Sequence, residues 1–296
     1  MQLQLLTSRL SFFAENCHNI FMPHITVVKK SGERVPFSEE KIIHSMERVG
    51  VPFDLQPQVI KHILSRVQKD NSITTDEIFY HIREFLKEKD KKSALRFNLR
   101  QAVFDLGPTG FPFEKYIERI FKTDGYKTQV DVIMQGQCVS HEVDLVVEKE
   151  GIKEIVEVKF HNQNMGKTDV QVMLYTYARF LDIKEKNEIK GVWVVTNTKL
   201  TSDAINYANC KEMRAVAWNY PENGNLQNFV EDPKMYPVTI LNSFTSAEKQ
   251  SLLSNDIVLA SDLLNVSDEV LENKFLIDKE RISEAKDSAK IILRSS

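Results

Sequence analysis

The chain has 296 residues, 42% of them hydrophobic and 27% charged, with a net charge of -3. That supplies enough apolar material for two or three packed domains. It excludes a uniformly basic nucleic-acid coat but leaves room for a local basic groove, because only the nearby field steers a polyanion. Three scattered cysteines, Cys17, Cys138 and Cys210, exclude a ribbon of paired zinc-binding cysteines and fit a reducing cytoplasm. No apolar run approaches the ~20 residues that span a bilayer, so no membrane contact is expected. Met1 to Met22 carries Leu5-Leu6 and Phe12-Phe13 but is broken by Arg9, Glu15 and His18. It is not read as a signal peptide, and Met22 is an equally good start.

The first expected element is a β-hairpin: Ile25 to Lys29, a turn at Lys30-Ser-Gly-Glu, then Arg34-Val-Pro-Phe. Ser38 and the acidic pair Glu39-Glu40 precede Ile42, Ile43, Met46 and Val49, which reads as an N-cap, an acidic first turn and an apolar stripe. Helical stripes recur from Pro57 to Val67 and from Thr75, with Ile78, Ile82, Phe85 and Leu86 on one face. The charged run Lys87 to Lys92 reads as a solvated connection, and Ser93 to Leu106 as a fourth helix. Gly107-Pro-Thr-Gly-Phe-Pro112 then marks a domain boundary.

The stretch Val28-Lys-Lys-Ser-Gly-Glu-Arg-Val-Pro-Phe-Ser-Glu-Glu-Lys41-Ile resembles the opening of the ATP-cone family, and Ile73-Thr-Thr-Asp-Glu-Ile resembles its later helix start. Lys30 and Ser31 stand where the family has arginine and aspartate, which keeps the turn basic. The resemblance implies a regulatory ATP or dATP ligand. A triphosphate needs converging cations, and Lys29, Lys30 and Lys41 are the candidates, with N–H donors at the helix start. On residue type alone, a solvated basic turn explains the same lysines. The chain has no G-x-x-x-x-G-K-[ST] loop, so this region reads as a sensor rather than a hydrolase.

Beyond Gly107 the pattern changes. A helix from Phe113 to Lys122 leads to a strand at Gln129–Met134, then to apolar runs at Val143–Val147 and Ile155–Phe160 around the turn Lys149-Glu-Gly. A helix at Asp169–Asp182, a strand at Gly191–Thr196, a helix at Ser202–Met213 and a short strand at Ala215–Trp218 follow, an α/β layer pattern. Asp144, Glu157 and Lys159 have the form D-x(12)-E-x-K. Paired strands would bring the two carboxylates to one Mg²⁺ or Mn²⁺, which takes oxygen ligands, while residues two apart put Glu157 and Lys159 on one face. Such an ion serves phosphodiester cleavage, and the amine orients water and stabilises the developing charge. Taken alone, E-x-K is common at strand ends, and Asp144 and Lys159 would make an ordinary salt bridge. Here the charges interrupt otherwise apolar strands, where unpaired charge is expensive.

With Phe113-Glu-Lys-Tyr-Ile-Glu-Arg-Ile-Phe-Lys-Thr-Asp-Gly125-Tyr in front, this segment resembles the PD-(D/E)XK nucleases, specifically the Mrr-type restriction endonuclease branch. The resemblance places Glu114 on the helix glutamate that helps hold the metal, with Glu118 one turn later as its competitor. It also gives Gln171, in Gln171-Val-Met-Leu-Tyr175, a part in orienting the substrate backbone. A helix face explains the Gln171–Tyr175 pair equally well. The family's G-x-D context is reduced here to Glu142-Val-Asp144. His161 is taken as a loop residue without a role.

From Tyr236 the chain reads as short helices, which faintly resemble helix-hairpin-helix modules but carry Ser254-Asn255-Asp256 in place of the glycine hairpin. Packing, or contact between copies in a homo-oligomer, fits them better. The expected architecture is α/β. An extension at 1–24 precedes a mostly helical ATP-cone with a β-hairpin at 25–106. A restriction-endonuclease-like αβββαβ core spans 112–235, and a helical region spans 236–296. The expected activity is that of a nucleotide-regulated, Mg-dependent DNA endonuclease, which the resemblance links to defence against foreign DNA. The alternative is a non-enzymatic ATP- or dATP-responsive DNA-binding regulator.

Overall fold

The computed structural model describes residues 25–163 and 166–294; the N-terminal extension, with Cys17 and Met22, lies outside the described residues. The chain divides into two compact units between Ala94 and Leu95.

In the first unit β1 (Thr26–Val28) and β2 (Arg34–Pro36) form the expected hairpin, closed where the Lys29 amide donates to the Glu33 carbonyl at 2.9 Å. Gly32 takes a φ of 83° in the turn. Ser38 caps α1 (Glu39–Arg48), and α2 (Gln56–Leu64) follows. A strand the sequence pattern did not reveal, β3 (Ser72–Thr74), adds parallel to β1. Thr74 and Glu77 then form a capping box that starts α3 (Thr75–Lys89). Ile42, Met46, Val59, Ile60, Ile63, Ile73, Ile78, Ile82 and Leu86 fill this unit's interior.

Two expectations are corrected here. The run Lys87–Lys92 is not a connection: α3 continues to Lys89, Asp90 interrupts it, and α4 (Lys91–Phe97) begins at once. Lysine and glutamate are good helix formers on an outward face, and the Asp90 carboxylate accepts from the Ser93 amide at 3.2 Å and its hydroxyl at 2.6 Å. The single helix expected from Ser93 to Leu106 is broken at Asn98, after which α5 (Leu99–Phe104) begins. Asn98 is buried, and its amide donates to the Asn242 side chain at 3.2 Å, a tertiary contact that no local pattern encodes.

The second unit contains α6 (Phe111–Thr123), β4 (Lys127–Gln135), β5 (Ser140–Lys149), β6 (Ile152–Lys159), the short β7 (Lys167–Thr168), α7 (Val170–Asn187) and β8 (Ile189–Thr196). Apart from β7, which pairs outside the main sheet, this is the αβββαβ order expected. After β9 (Lys199–Leu200) and α8 (Ser202–Cys210), β10 (Arg214–Val216) completes a sheet of order β10-β8-β6-β5-β4, antiparallel from β4 to β6 and parallel from β6 to β10. On one face Phe113, Tyr116, Ile117 and Ile120 of α6 pack with Leu145, Val147, Val156 and Val158. On the other, Val172, Met173 and Ile183 of α7 pack with Ile155, Val192 and Val194.

The chain ends in α9 (Leu226–Glu231), a 3₁₀ turn at Val238–Ile240, α10 (Ser246–Leu253), α11 (Ala260–Leu264), α12 (Asp268–Asn273) and α13 (Lys279–Leu293). Leu252, Leu263, Ala285 and Ala289 share the α6 core, so these helices pack on the α6 side of the sheet. Fully buried Tyr116 ties α6 to this region by donating its hydroxyl to the Met235 carbonyl at 2.6 Å. Tyr116→Phe would leave that carbonyl buried and unbonded, and is expected to lower unfolding stability by about 1–2 kcal/mol in urea titration.

Candidate active site

Glu150 and Gly151, at φ 55° and 78°, make the tight turn between β5 and β6, the handedness that follows strand twist. The ladder runs from Lys149 opposite Ile152 to Leu145 opposite Val156, and stops there. One residue on, Asp144 breaks the pattern: its Oδ2 accepts from the Val158 backbone N–H at 2.7 Å. The other edge of β5 is irregular at the same point. Asp131 falls between the pairs Val130–Leu145 and Val132–Val143, makes no pair itself, and has a φ of 50°. Side-chain alternation shifts as well, since Val143 joins the core under α7 whereas Leu145 and Val147 join the core under α6. The sheet therefore splits at Asp144, and its carboxylate takes a ladder hydrogen bond that the backbone has given up.

Glu157 is 8% exposed. Both of its oxygens are engaged from α7: the Tyr175 hydroxyl donates to Oε1 at 2.7 Å and Arg179 Nη1 to Oε2 at 2.5 Å. Lys159 lies two residues along the strand and shares that face; it is half-buried, at the strand end opposite Thr196. Glu114 enters from the first turn of α6. Burial, followed by the charges of Asp144, Asp131, Glu157 and Glu142, pushes its carboxyl up to about 7. Burial and the Glu157 charge push Asp144 up to about 6, against the opposing pull of the Val158 N–H and Arg179. Glu118 is committed elsewhere, accepting from Thr128 at 2.9 Å and pairing with Lys122 at 2.7 Å.

Glu114, Asp144 and Glu157 thus act on one another electrostatically, and Lys159 stands at the end of β6, the strand that carries Glu157. Gln171 is exposed in the first turn of α7, and Tyr175, one turn later, donates to Glu157. Arg179 and Asp131 were missed. Arg179 carries the same helical spacing from Tyr175 that Tyr175 has from Gln171, a signal that was available; Asp131 belongs to no motif. His161 bonds Thr168 at 2.9 Å, and burial lowers its pKa. A groove of about 610 Å³ adjoins this clamp, lined by Tyr175, Arg179, His141, Asp182 and the Gln137–Val139 turn.

Glu114 and Asp144, whose pKa values burial and neighbouring carboxylates raise, form with Glu157 an all-oxygen donor set that fits a hard divalent cation. Among the described residues, however, Glu114, Asp144 and Glu157 are not a trio with all ligating oxygens within 4.8 Å, and Glu157 is held by α7. In the first unit Lys29 pairs with Glu33 at 2.8 Å and Lys30 with Asp76 at 3.3 Å, while Lys41 is exposed in the first turn of α1.

Three regions of the chain match family models: residues 25–101 the ATP cone domain, residues 108–219 the restriction endonuclease domain of the Mrr catalytic type, and residues 236–293 the AF1548-like C-terminal region. An uncharacterized protein of Archaeoglobus fulgidus is 36% identical over 171 residues, covering 57% of this chain and 97% of the relative. The chain belongs to the AF1548-like family. The crystal structure of AF1548, a protein of unknown function, superposes with a TM-score of 0.53 at 30% identity, covering 62% of this chain and 97% of the other. This AF1548-like chain carries an ATP cone in addition. It is 32% identical over 83 residues to the transcriptional repressor NrdR of Microcystis aeruginosa, covering 26% of this chain and 48% of the repressor. No helix among the described residues is long and apolar enough to cross a membrane.

The raised carboxyl groups of this AF1548-like site have a consequence for stability. An acid whose folded pKa lies above its unfolded value binds its proton more tightly when folded. Its contribution is therefore full below the ordinary carboxylate range and is lost as pH rises through about 6 for Asp144 and about 7 for Glu114. Without divalent ions, Asp144→Asn is expected to stabilise the protein by roughly 1 kcal/mol at pH 8, solvent screening having reduced the full value, and to change little at pH 4. Thermal melts at the two pH values check this.

Proposed function

We propose that the protein is a nucleotide-regulated, divalent-metal-dependent DNA endonuclease. The observation that carries this reading is the split at Asp144, where the charges of Glu114, Asp144 and Glu157 act on one another and Lys159 follows Glu157 by two residues on β6. Asp144 and Glu157 would hold Mg²⁺ or Mn²⁺, with Glu114 helping to hold the ion or a water beside it. When bound, the ion neutralises the phosphate and makes water a better nucleophile. Asp144 is kept in place by the Val158 N–H, so its donor oxygen is aimed before any ligand arrives. Lys159 orients the attacking water and donates to the phosphate oxygen on which charge builds. As the new phosphorus–oxygen bond forms, the bond to the leaving sugar oxygen breaks. Gln171, exposed beside the groove-lining Tyr175, would steady the substrate backbone.

Lys29, Lys30 and Lys41 are the proposed triphosphate contacts of the ATP cone. The acidic partners of Lys29 and Lys30 lie at exposed positions, from which a phosphate would displace them at little cost. Defence against foreign DNA is the role that a restriction-type domain supports, and the cytoplasm is the compartment that fits it. A second reading has its own support: the likeness to the NrdR repressor favours an ATP- or dATP-responsive DNA-binding regulator that does not cut.

Cleavage of plasmid DNA with and without Mg²⁺, ATP and dATP separates the two. The nuclease should nick or cut only with the metal, and Asp144→Ala or Lys159→Ala should reduce the rate at least about 100-fold. Cleavage retained in Asp144→Ala, or binding without any cutting under all conditions, would leave the regulator. Lys30→Ala with Lys41→Ala is expected to weaken ATP or dATP binding about tenfold or more in calorimetry while leaving nucleotide-free cleavage intact.

A further inference from the structure

The first unit holds a second donor cluster, of different chemistry. Among the described residues, His62, His81 and Glu84 are the three side chains whose ligating atoms all lie within 4.8 Å of one another. His62 comes from the last turn of α2, while His81 and Glu84 stand three residues apart on one face of α3. Both rings address the same carboxylate oxygen. His62 Nε2 lies 3.1 Å from Glu84 Oε2 and His81 Nδ1 lies 3.2 Å from it.

We propose that His62, His81 and Glu84 form a binding site for a borderline divalent transition metal, zinc being the representative ion. Zinc binds histidine nitrogen and carboxylate oxygen at about 2.0–2.2 Å, so two ligands on a tetrahedron stand about 3.3–3.5 Å apart. The observed separations come within a few tenths of an ångström of that edge. Two imidazoles and one carboxylate select zinc, cobalt or nickel over Mg²⁺, which takes oxygen ligands. Three protein ligands leave a fourth position for water.

The rings are placed in advance. Phe85 packs on His62 with centroids 5.5 Å apart, Tyr80 meets His81 edge-on at 5.2 Å, and the two imidazoles themselves stand edge to face at 5.7 Å. The two histidine side chains are only 20% and 15% exposed, whereas Glu84 at 37% leaves a route for the ion. The carbonyl end of α2, where His62 sits, favours positive charge. Arg66, which acts on the same carboxylate, opposes a dication here. The ordinary reading of the cluster is a carboxylate accepting from two protonated ring nitrogens. The two readings diverge once metal is added. An ion here would link α2 to α3, the helix whose Asp76 pairs with hairpin Lys30.

The test uses the full chain carrying Asp144→Asn and Glu157→Gln, which removes the oxygen site of the second unit. Cobalt(II) added alone should give visible ligand-field absorption saturating at one ion per chain, undisturbed by a hundredfold excess of Mg²⁺. His62→Ala and His81→Ala should each abolish the signal or weaken binding at least tenfold, and Arg66→Gln should tighten it. Far-ultraviolet dichroism and metal-free melting temperature check that the variants fold. If the alanine variants do not, His81→Cys supplies a replacement ligand, and zinc should still raise its melting temperature. Absence of the cobalt signal in the parent overturns the site, as does its persistence in folded His62→Ala. So does sulfur-to-cobalt charge transfer in the parent, which would place the ion on a cysteine. Loss of DNA cleavage elsewhere in the chain bears on none of these readouts.

Discussion

The second unit is organised around a conflict between hydrogen bonding and charge at one point of its sheet. Where the β5–β6 ladder stops, the Val158 N–H needs a partner, and the Asp144 carboxylate provides it at 2.7 Å. That bond fixes an acid among other acids. Glu157 lies on the adjoining strand, Glu114 enters from α6, and Asp131 sits across the register in a left-handed backbone conformation. Left-handed backbone at a residue other than glycine costs of order 1–3 kcal/mol, and it persists where the surrounding structure imposes it. Both sheet faces are packed around this point, by α6 on one side and α7 on the other. The strands therefore hold these carboxylates together despite their mutual repulsion.

Cations in the site answer only part of that repulsion. Arg179 and the Tyr175 hydroxyl occupy both oxygens of Glu157, which satisfies a nearly buried carboxylate. Among the described residues, Glu114 and Asp144 have no comparable cationic partner, and they carry the raised pKa values. A divalent ion is the ligand that would offset both at once, which connects the fold's local irregularity to the proposed hydrolysis. The donor sets of the two units also differ in kind. Carboxylates gather in the restriction endonuclease domain, and imidazoles with one carboxylate gather in the ATP cone.

Much of this arrangement was legible because it is local in sequence. Asp144, Glu157 and Lys159 sit on one hairpin closed by Glu150-Gly151, so strand period and turn chemistry suffice to place them on neighbouring strands. Glu114 is singled out only by the family resemblance of its helix, and its rival Glu118 is bonded elsewhere. What escaped depends on tertiary placement. Arg179 matters only because α7 lies over β6. Asp131 matters because the backbone turns left-handed in mid-strand, and β3 is too short to show alternation. The break at Asn98 answers to Asn242, far along the chain. In the run Lys87–Lys92 charge alone does not tell loop from exposed helix, because lysine and glutamate favour helix.

Under the proposed function, a divalent ion relieves the repulsion that raises the carboxyl groups of Glu114 and Asp144. Carbon-13 NMR titration of these two carboxyl groups, with and without Mg²⁺, measures it directly. Without the ion their midpoints should lie near 7 and 6, and saturating Mg²⁺ should drive both down by more than one pH unit. Midpoints in the ordinary carboxylate range, or midpoints indifferent to the ion, would contradict it.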